Sequence, residues 1–267
     1  SVDNRELAIC NAIEIAMAVD RCGFVPNFTC SNDRVSYDRS QPPVGSRAVW
    51  KIYERYGDRW FLELLYPRLL RWNLWWLDNR QADGLLCWGS TPSNGEDYTD
   101  AQWGREVSAL ECGLDNTYVY DNAGYFPDRH IVSYNDVGLS SMYVMDCEYL
   151  AKIAAELGRR GDARDLLARG RKMRDSIQSL WSEEDGMFFC KDLETGELVK
   201  RMDPTNFYPM LCNAATPVQA RRMIDEHLLN EDEFWGEWVI PCTPRNAPEF
   251  ADNTYWRGRI WGPTNFL

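Results

Sequence analysis

The chain has 267 residues, 45% of them hydrophobic, with 41 acidic against 29 basic side chains and a net charge of −12. That apolar share supports a substantial core in one large domain or two small ones, and the acidic balance argues against nucleic acid or an anionic membrane as partner. No apolar run reaches the roughly 18–20 residues that cross a bilayer, and no charged-then-apolar leader opens the chain, so a soluble protein or part of one is expected.

The first helix is marked by Asp3 and Glu6 at capping-box spacing, with Leu7, Cys10, Ile13 and Met17 following at three- to four-residue steps before Gly23. A loop runs over 24–41, and Pro42 and Pro43 open a second helix with Val44, Ile52 and Tyr56 apolar and Gly57 at its stop. Asp58 is placed to cap a third, carrying Phe61, Leu64, Leu65, Leu69, Trp72 and Trp76 and bent at Pro67. Residues 81–135 read mostly as loop, dense in Gly, Asp, Asn and aromatics, and so long a connection is usually functional. Asp136 caps the next helix. Its apolar stripe of Leu139, Tyr143, Leu150, Ile153 and Leu157 also carries Asp146, read as a buried carboxylate bonded to a loop, and Gly158 ends it. After a turn at Gly161-Asp162, Leu166, Gly170, Met173, Ile177 and Leu180 mark another inward face. The alternation from Met187 to Met202 around Thr195-Gly196 predicts a small β-hairpin. Thr216-Pro217 starts a helix through Met223, Ile224 and Leu228, a tryptophan-rich loop spans about 230–262, and Pro263 opens a further helix.

Antiparallel helices joined alternately by short turns and long loops predict an all-α fold. The architecture expected is an α/α toroid whose long loops gather at one end and form the pocket, with the hairpin as an insertion. The helices number fewer than the twelve that a closed ring of six hairpins needs. The ring is therefore expected to be incomplete, with helices missing at both ends of a single domain over 1–267.

Counting narrows the chemistry. Nine cysteines cannot all pair internally; Cys10 and Cys147 sit where a helix takes a small apolar residue, and the spacings are not those of zinc sites or disulfide scaffolds. Reduced core thiols and a cytoplasmic location are expected. Only two histidines exist, His130 and His227, both read as solvated, which leaves no His-based triad or multi-histidine metal site. Asp33, Asp97, Asp100 and Asp121 lack EF-hand spacing and read as solvated or loop-bracing acids rather than calcium ligands. There is no Gly-rich phosphate loop and no nucleophilic serine elbow. Acid–base chemistry therefore falls to carboxylates.

The stretch 110–117, Leu-Glu-Cys-Gly-Leu-Asp-Asn-Thr, places Asp115 behind a glycine turn in a region crowded with tryptophan and tyrosine. Aromatic faces stack on the C–H faces of a pyranose. An apolar wall disfavours the charged carboxylate, so the acid is expected to hold a proton for donation.

Four segments carry a family resemblance. Glu111-Cys112-Gly113-Leu114-Asp115-Asn116 resembles the acid-bearing Glu-Ser-Gly-(hydrophobic)-Asp-Asn motif of family 63 of the glycoside hydrolases. Ser40-Gln41-Pro42-Pro43-Val44-Gly45, Phe207-Tyr208-Pro209 and Tyr255-Trp256-Arg257-Gly258 resemble its other motifs, in the family's order. The resemblance implies an (α/α)6 toroid and inverting, exo-acting hydrolysis of a small α-glycoside, without metal or cofactor. The bacterial branch, acting on mannosylglycerate, glucosylglycerate and small α-glucosides, looks nearer than the eukaryotic processing glucosidase. Trehalases share the fold with a Glu-Ser-Gly-Trp-Asp variant that Leu114 and Asn116 fit less well. Cys112 stands where the family has serine, and Thr117-Tyr118 where Ser-Pro is common. The family's general base is a glutamate after the Tyr-Trp-Arg-Gly segment, expected here beyond Leu267.

The resemblance assigns Asp115 as proton donor, opposite a base held roughly 6.5–9.5 Å away so that water fits between. Glu111 orients the loop, contacts a sugar hydroxyl, or forms a structural salt bridge. Tyr255, Trp256 and Trp261 are candidates for stacking and hydroxyl contact, with a core role as the alternative for the two tryptophans. Gln41 offers an amide to sugar hydroxyls or to a helix end. Arg257 and Arg259 pair with loop carboxylates or hold a substrate carboxylate, and structural pairing is favoured for Arg259. Trp88 and Gly89 are weaker pocket candidates, and Glu237 is the one in-chain substitute considered for the base. A sugar-binding remnant without turnover, and a trehalase or disaccharide phosphorylase, are the rival readings.

Overall fold

In the computed structural model, residues 3–30, 35–92, 101–238 and 240–266 are described; Asp33, Asp97, Asp100 and Leu267 lie outside the described residues. Helix α5 (Val137–Glu156) is the pivot of the fold. Its first three turns are mostly apolar, and every residue from Val137 to Cys147 is buried, Ser140, Ser141 and Asp146 included, so the helix is enclosed on all faces. Around it pack α2 (Gly45–Tyr56), α3 (Arg59–Arg80) and α6 (Arg160–Ile177), while α1 (Arg5–Met17) lies on α2 and α3. Gly158, at φ 78°, ends α5 in the left-handed conformation, and the short link to α6 makes the two antiparallel neighbours.

Asp146 is buried, as its place on the apolar stripe implied, but its partners lie in helices rather than in a loop, so it ties the bundle together. Its carboxylate accepts from the Ser46 backbone N–H at 3.0 Å and from Asn73 Nδ2 at 2.8 Å. The Asn73 amide oxygen in turn accepts from Tyr143 Oη at 3.2 Å and Arg169 Nη1 at 2.9 Å. One polar knot thus joins α2, α3, α5 and α6, and burial pushes the Asp146 pKa up to about 6 against the donors that oppose it.

Several local expectations need correction. The cap of α1 is Asn4, whose side chain accepts from the Leu7 N–H, because Asp3 is drawn to Arg55 and Tyr56. Helix α1 buries Ile9 and Ala16, and leaves Leu7, Cys10 and Met17 exposed. Asp58 precedes α3 without a side-chain cap bond, since its carboxylate pairs with Arg5. Gly161 and Asp162 belong to the first turn of α6. The stretch 81–135 holds more order than expected: a hairpin of β1 (Gln81–Ala82) and β2 (Leu85–Leu86), helix α4 (Ala101–Leu110), and a hairpin of β3 (Tyr125–Phe126) and β4 (Ile131–Val132).

The expected hairpin forms as β8 (Cys190–Asp192) with β9 (Leu198–Val199), and β8 also pairs with β5 (Tyr134–Asn135). Between them in the chain lie β6 (Trp181–Ser182) and β7 (Met187–Phe188), themselves paired. Helix α7 (Pro217–Arg222) starts at a Thr216–Gln219 capping box and continues as a π-helical turn through Leu228. Helix α8 (Gly262–Phe266) follows the tryptophan-rich loop. All nine cysteines are free; Cys87, Cys147, Cys190, Cys212 and Cys242 are buried, whereas Cys10, Cys22 and Cys30 are exposed. Among the described residues no helix is long and apolar enough to cross a membrane.

His227 is buried rather than solvated. Its Nδ1 lies 2.7 Å from Glu233 Oε2 and its Nε2 2.7 Å from the Asp185 carbonyl, partners supplied by two loops. Both partners are acceptors, so the protonated ring can donate to each of them. Burial works to lower its pKa, but the bonds to Glu233 and Asp185 together outweigh it and the value is raised. A raised folded pKa gives stability that is full below the unfolded value of about 6.5 and lost as pH climbs through the folded value. The melting temperature is expected to fall across that alkaline-side window, and His227→Gln to flatten this part of the profile; an unchanged slope in the variant would refute the assignment.

Candidate active site

The loop after α4 is pinned from inside by Glu111. Its carboxylate receives Arg80 in a two-pronged pair, Nε to Oε2 at 2.8 Å and Nη2 to Oε1 at 2.9 Å. It also accepts the backbone N–H groups of Ser40 at 2.8 Å and Gly89 at 2.7 Å. All its acceptor directions are taken, so the salt-bridge alternative is the one the structure realises and no oxygen is left for a sugar hydroxyl. Gly89 belongs to the same clamp: a Cβ there would lie 2.5 Å from the His130 carbonyl and 2.7 Å from Arg80 Nε, so only glycine lets the strand approach.

From Glu111 the chain turns through Gly113, at φ 74°, and presents Asp115 half-buried. Asp115 Oδ2 accepts from Tyr255 Oη at 2.9 Å, which draws together two segments 140 residues apart. That bond to Asp115 raises the Tyr255 phenol above its usual value. Asn116 completes the strap: its Oδ1 accepts the Trp256 N–H at 2.7 Å, and its carbonyl accepts Arg257 Nε at 2.7 Å.

Tyr255 sits in a tight turn closed by reciprocal Thr254–Arg257 backbone bonds of 3.0 and 2.7 Å. Its φ of 45° is unusual for a bulky residue. Such strain persists where surrounding contacts over-determine it, and here they aim the phenol at the acid. Trp261 stacks on Trp256 with centroids 4.3 Å apart and planes 17° from parallel, and its Nε1 donates to the Tyr255 carbonyl at 2.7 Å. Arg257 is spent on the carboxylates of Asp121 at 2.5 Å and Asp252 at 3.3 Å. Arg259 Nε bonds the Asn253 carbonyl at 2.9 Å.

Two concavities meet at this loop. The first, of about 320 Å3, is walled by Trp88, the Cys112–Leu114 turn, Tyr120, Tyr208 and Trp256, with Asp136 and Thr205 among its polar groups. The second, of about 360 Å3, is lined by Asp115, Asn116, Trp103, Arg105 and Arg257. Tyr120 lines both. The acid therefore stands in the outer cleft while its own loop walls the inner cavity.

Of the residues singled out from the sequence, Asp115, Tyr255, Trp256, Trp261 and Arg257 come together, and Trp88 lines the inner cavity. Glu111 and Gly89 lie behind the wall. Gln41 is turned away: its Nε2 donates to the Asn27 carbonyl at 2.6 Å, and the residue lines a separate apolar hollow beside α1 and Trp72. Glu237 is exposed and lines neither concavity of the site. Among the described residues there is no cluster of three or more potential metal ligands.

Sequence reasoning passes over Tyr120 and treats Asp136 only as a helix cap. Asp136 Oδ1 does cap α5, accepting the Leu139 N–H at 2.6 Å, but Oδ2 accepts Tyr120 Oη at 2.5 Å and Cys190 Sγ at 3.4 Å. Burial raises its pKa despite these donors. Asp203, capping the 3-10 turn Pro204–Met210, is pushed up to about 6 by burial, with the Asp136 charge adding to the rise. The signal for a second role was Asp136's position at the end of the long Gly- and aromatic-rich segment.

A model of the mannosylglycerate hydrolase MGH1-like glycoside hydrolase domain matches residues 10–267. The chain belongs to this family. A mannosylglycerate hydrolase of Thermus thermophilus is 33% identical over 270 residues, a match covering 85% of this chain and 63% of that protein. The chain thus spans less than two thirds of that curated relative. The crystal structure of the family 63 mannosylglycerate hydrolase from another strain of Thermus thermophilus, in complex with Tris, superposes with a TM-score of 0.73 at 19% identity, over 99% of this chain and 75% of that one. Neutral trehalase of Saccharomyces cerevisiae superposes with a TM-score of 0.71 at 15% identity, over 97% of this chain and 54% of that one. The fold is that of the (α/α)6 toroid, and membership of family 63 agrees with the four motif segments. Within that family frame, Cys112 in the serine position is compatible with the wall: its sulfur accepts the Leu114 N–H at 3.2 Å, as a hydroxyl oxygen there can.

Proposed function

We propose that this chain carries the acid half of an inverting exo-glycosidase acting on a small α-glycoside, with Asp115 protonating the leaving oxygen. The observation that carries the reading is the junction at Asp115. Its carboxyl meets Tyr255 at 2.9 Å in the outer cleft, while Cys112–Leu114 and Trp256 wall the inner cavity. A sugar ring seated inside would send its glycosidic bond outwards past the acid. Base and water must approach from the opposite face, and for the base we take the glutamate that the family resemblance implies after the Tyr-Trp-Arg-Gly segment. Asp136 does not serve, because both its oxygens are spent on Leu139, Tyr120 and Cys190.

For the substrate we take a glycosylglycerate. The 33% identical relative from Thermus thermophilus is named a mannosylglycerate hydrolase, and the crystallised Thermus thermophilus enzyme has been captured with glucose and with Tris and D-glycerate. The reaction needs no cofactor, and we place it in the cytoplasm, where a chain with nine free thiols stays reduced. The test incubates the full-length protein with α-mannosylglycerate, α-glucosylglycerate and trehalose, with and without phosphate, and follows the product anomer by proton NMR. Inversion releases the β-sugar first. Release of the α-sugar, a sugar phosphate, or binding without turnover would each reject the reading.

A further inference from the structure

Asp136 is a buried carboxylate in the wall of the inner cavity that proton transfer at Asp115 does not use. Its Oδ1 satisfies the cap of α5, a task that serine, threonine or asparagine performs equally well. Its Oδ2 accepts from Tyr120 Oη at 2.5 Å, with Cys190 Sγ a weaker donor at 3.4 Å. Tyr120 in turn closes the 3-10 turn Tyr118–Tyr120 that directly follows the acid loop, and it is the side chain common to the inner cavity and the outer cleft.

The backbone of that turn is anchored without help from Tyr120. Tyr118 Oη donates to the Met202 carbonyl at 2.9 Å, and Arg201 donates to the Tyr118 carbonyl. What the bond from Asp136 sets is the orientation of the Tyr120 ring. The anchor itself is rigid, because it stands at the first turn of the most deeply buried helix.

We propose that Asp136 is a positioning residue for catalysis: through Tyr120 it fixes the partition between sugar cavity and leaving-group cleft, so that the bond crossing it meets Asp115 at a set angle. The inference rests on the reading of Asp115 as proton donor. Misplacing a reacting bond by about 1 Å costs on the order of a hundredfold in rate, so the partition matters without touching a transferred proton.

The test compares Tyr120→Phe, Asp136→Ser and the double variant in the full-length protein. Serine keeps a cap for α5 and is too short to reach Tyr120. Each single change is expected to lower kcat on a glycosylglycerate by about ten- to a hundredfold. The affinity for free D-mannose or D-glucose, read by tryptophan fluorescence, is expected to stay within about twofold of wild type. The double variant is expected to be no slower than the slower single variant, because both changes remove the Tyr120–Asp136 bond and Asp136→Ser loses only the weak Cys190 contact besides. Full kcat in either single variant overturns the proposal, as does a double variant whose loss is the product of the two. Weakened monosaccharide binding with kcat intact also overturns it, since that marks a cavity wall alone. If Asp136→Ser fails to fold, Tyr120→Phe, which leaves the cap untouched, carries the test. Asp115→Asn run alongside separates the failures: unimpaired turnover there rejects the donor assignment rather than the partition.

Discussion

Asp115→Asn is expected to lower kcat on a natural α-glycoside by about a hundred- to ten-thousandfold, the usual contribution of a positioned general acid. The amide matches the carboxyl in shape, and its oxygen still accepts from Tyr255 Oη, so the 2.9 Å contact that orders the Tyr255 turn is kept. Free sugar should therefore bind the variant as it binds wild type, and the loss should appear in kcat rather than in KM. A second measurement makes the assignment specific. A leaving group that departs without a proton, such as fluoride or a nitrophenolate, relieves the need for an acid, so the defect should shrink sharply on glycosyl fluorides. Equal turnover of a glycosylglycerate by both proteins, or a defect of the same size on every leaving group, would remove Asp115 from the donor role.

The parts of this structure legible in the sequence are those fixed by near neighbours. The Asp136 cap, the Gly158 stop and the helix start at Thr216-Pro217 each depend on residues within one turn, and each forms as read. Helix α1 shows the limit of that logic. Periodicity marks an apolar stripe but not the partner that covers it, and the face met by α2 and α3 leaves Leu7 and Met17 about half exposed. Helix α4 escapes a sequence reading because Gly104 and a polar run at 105–106 interrupt its pattern, leaving Trp103, Val107 and Leu110 as its regular signals in a segment otherwise dense in loop residues. His227 reads as solvated because the groups that bury it come from loops at 185 and 233. The site divides in the same way. The short motif points to Asp115 and the Tyr255 segment, but no spacing rule links residues 140 positions apart, and the meeting of the two is visible only in the fold.

Glu111→Ala is expected to destabilise the protein by about 3–5 kcal/mol, the range for removing one partner of a buried ion pair. An exposed pair of this kind contributes at most about 1 kcal/mol, so burial decides the size of the effect. The side chains of Arg80 and Glu111 are 3% and 0% exposed. Without the carboxylate, Arg80 keeps its contacts with Thr91 Oγ1 and the Asn79 carbonyl but loses its counter-charge. The N–H groups of Ser40 and Gly89 are orphaned at the same time, each at about 1–3 kcal/mol, though these penalties overlap with the first and do not simply add. Adding Arg80→Met to Glu111→Ala removes the stranded charge and should recover part of the loss. A denaturant midpoint that falls at unchanged m-value would register the effect, and a Glu111→Ala protein as stable as wild type would refute it. The consequence reaches the site because the segments tied by Glu111 run directly into the inner cavity. Ser40 leads to Pro42, Gly89 follows Trp88, and Glu111 itself precedes Cys112. Well below its melting point, the folded Glu111→Ala protein should therefore still bind sugar more weakly than wild type, a loss that global unfolding alone does not produce.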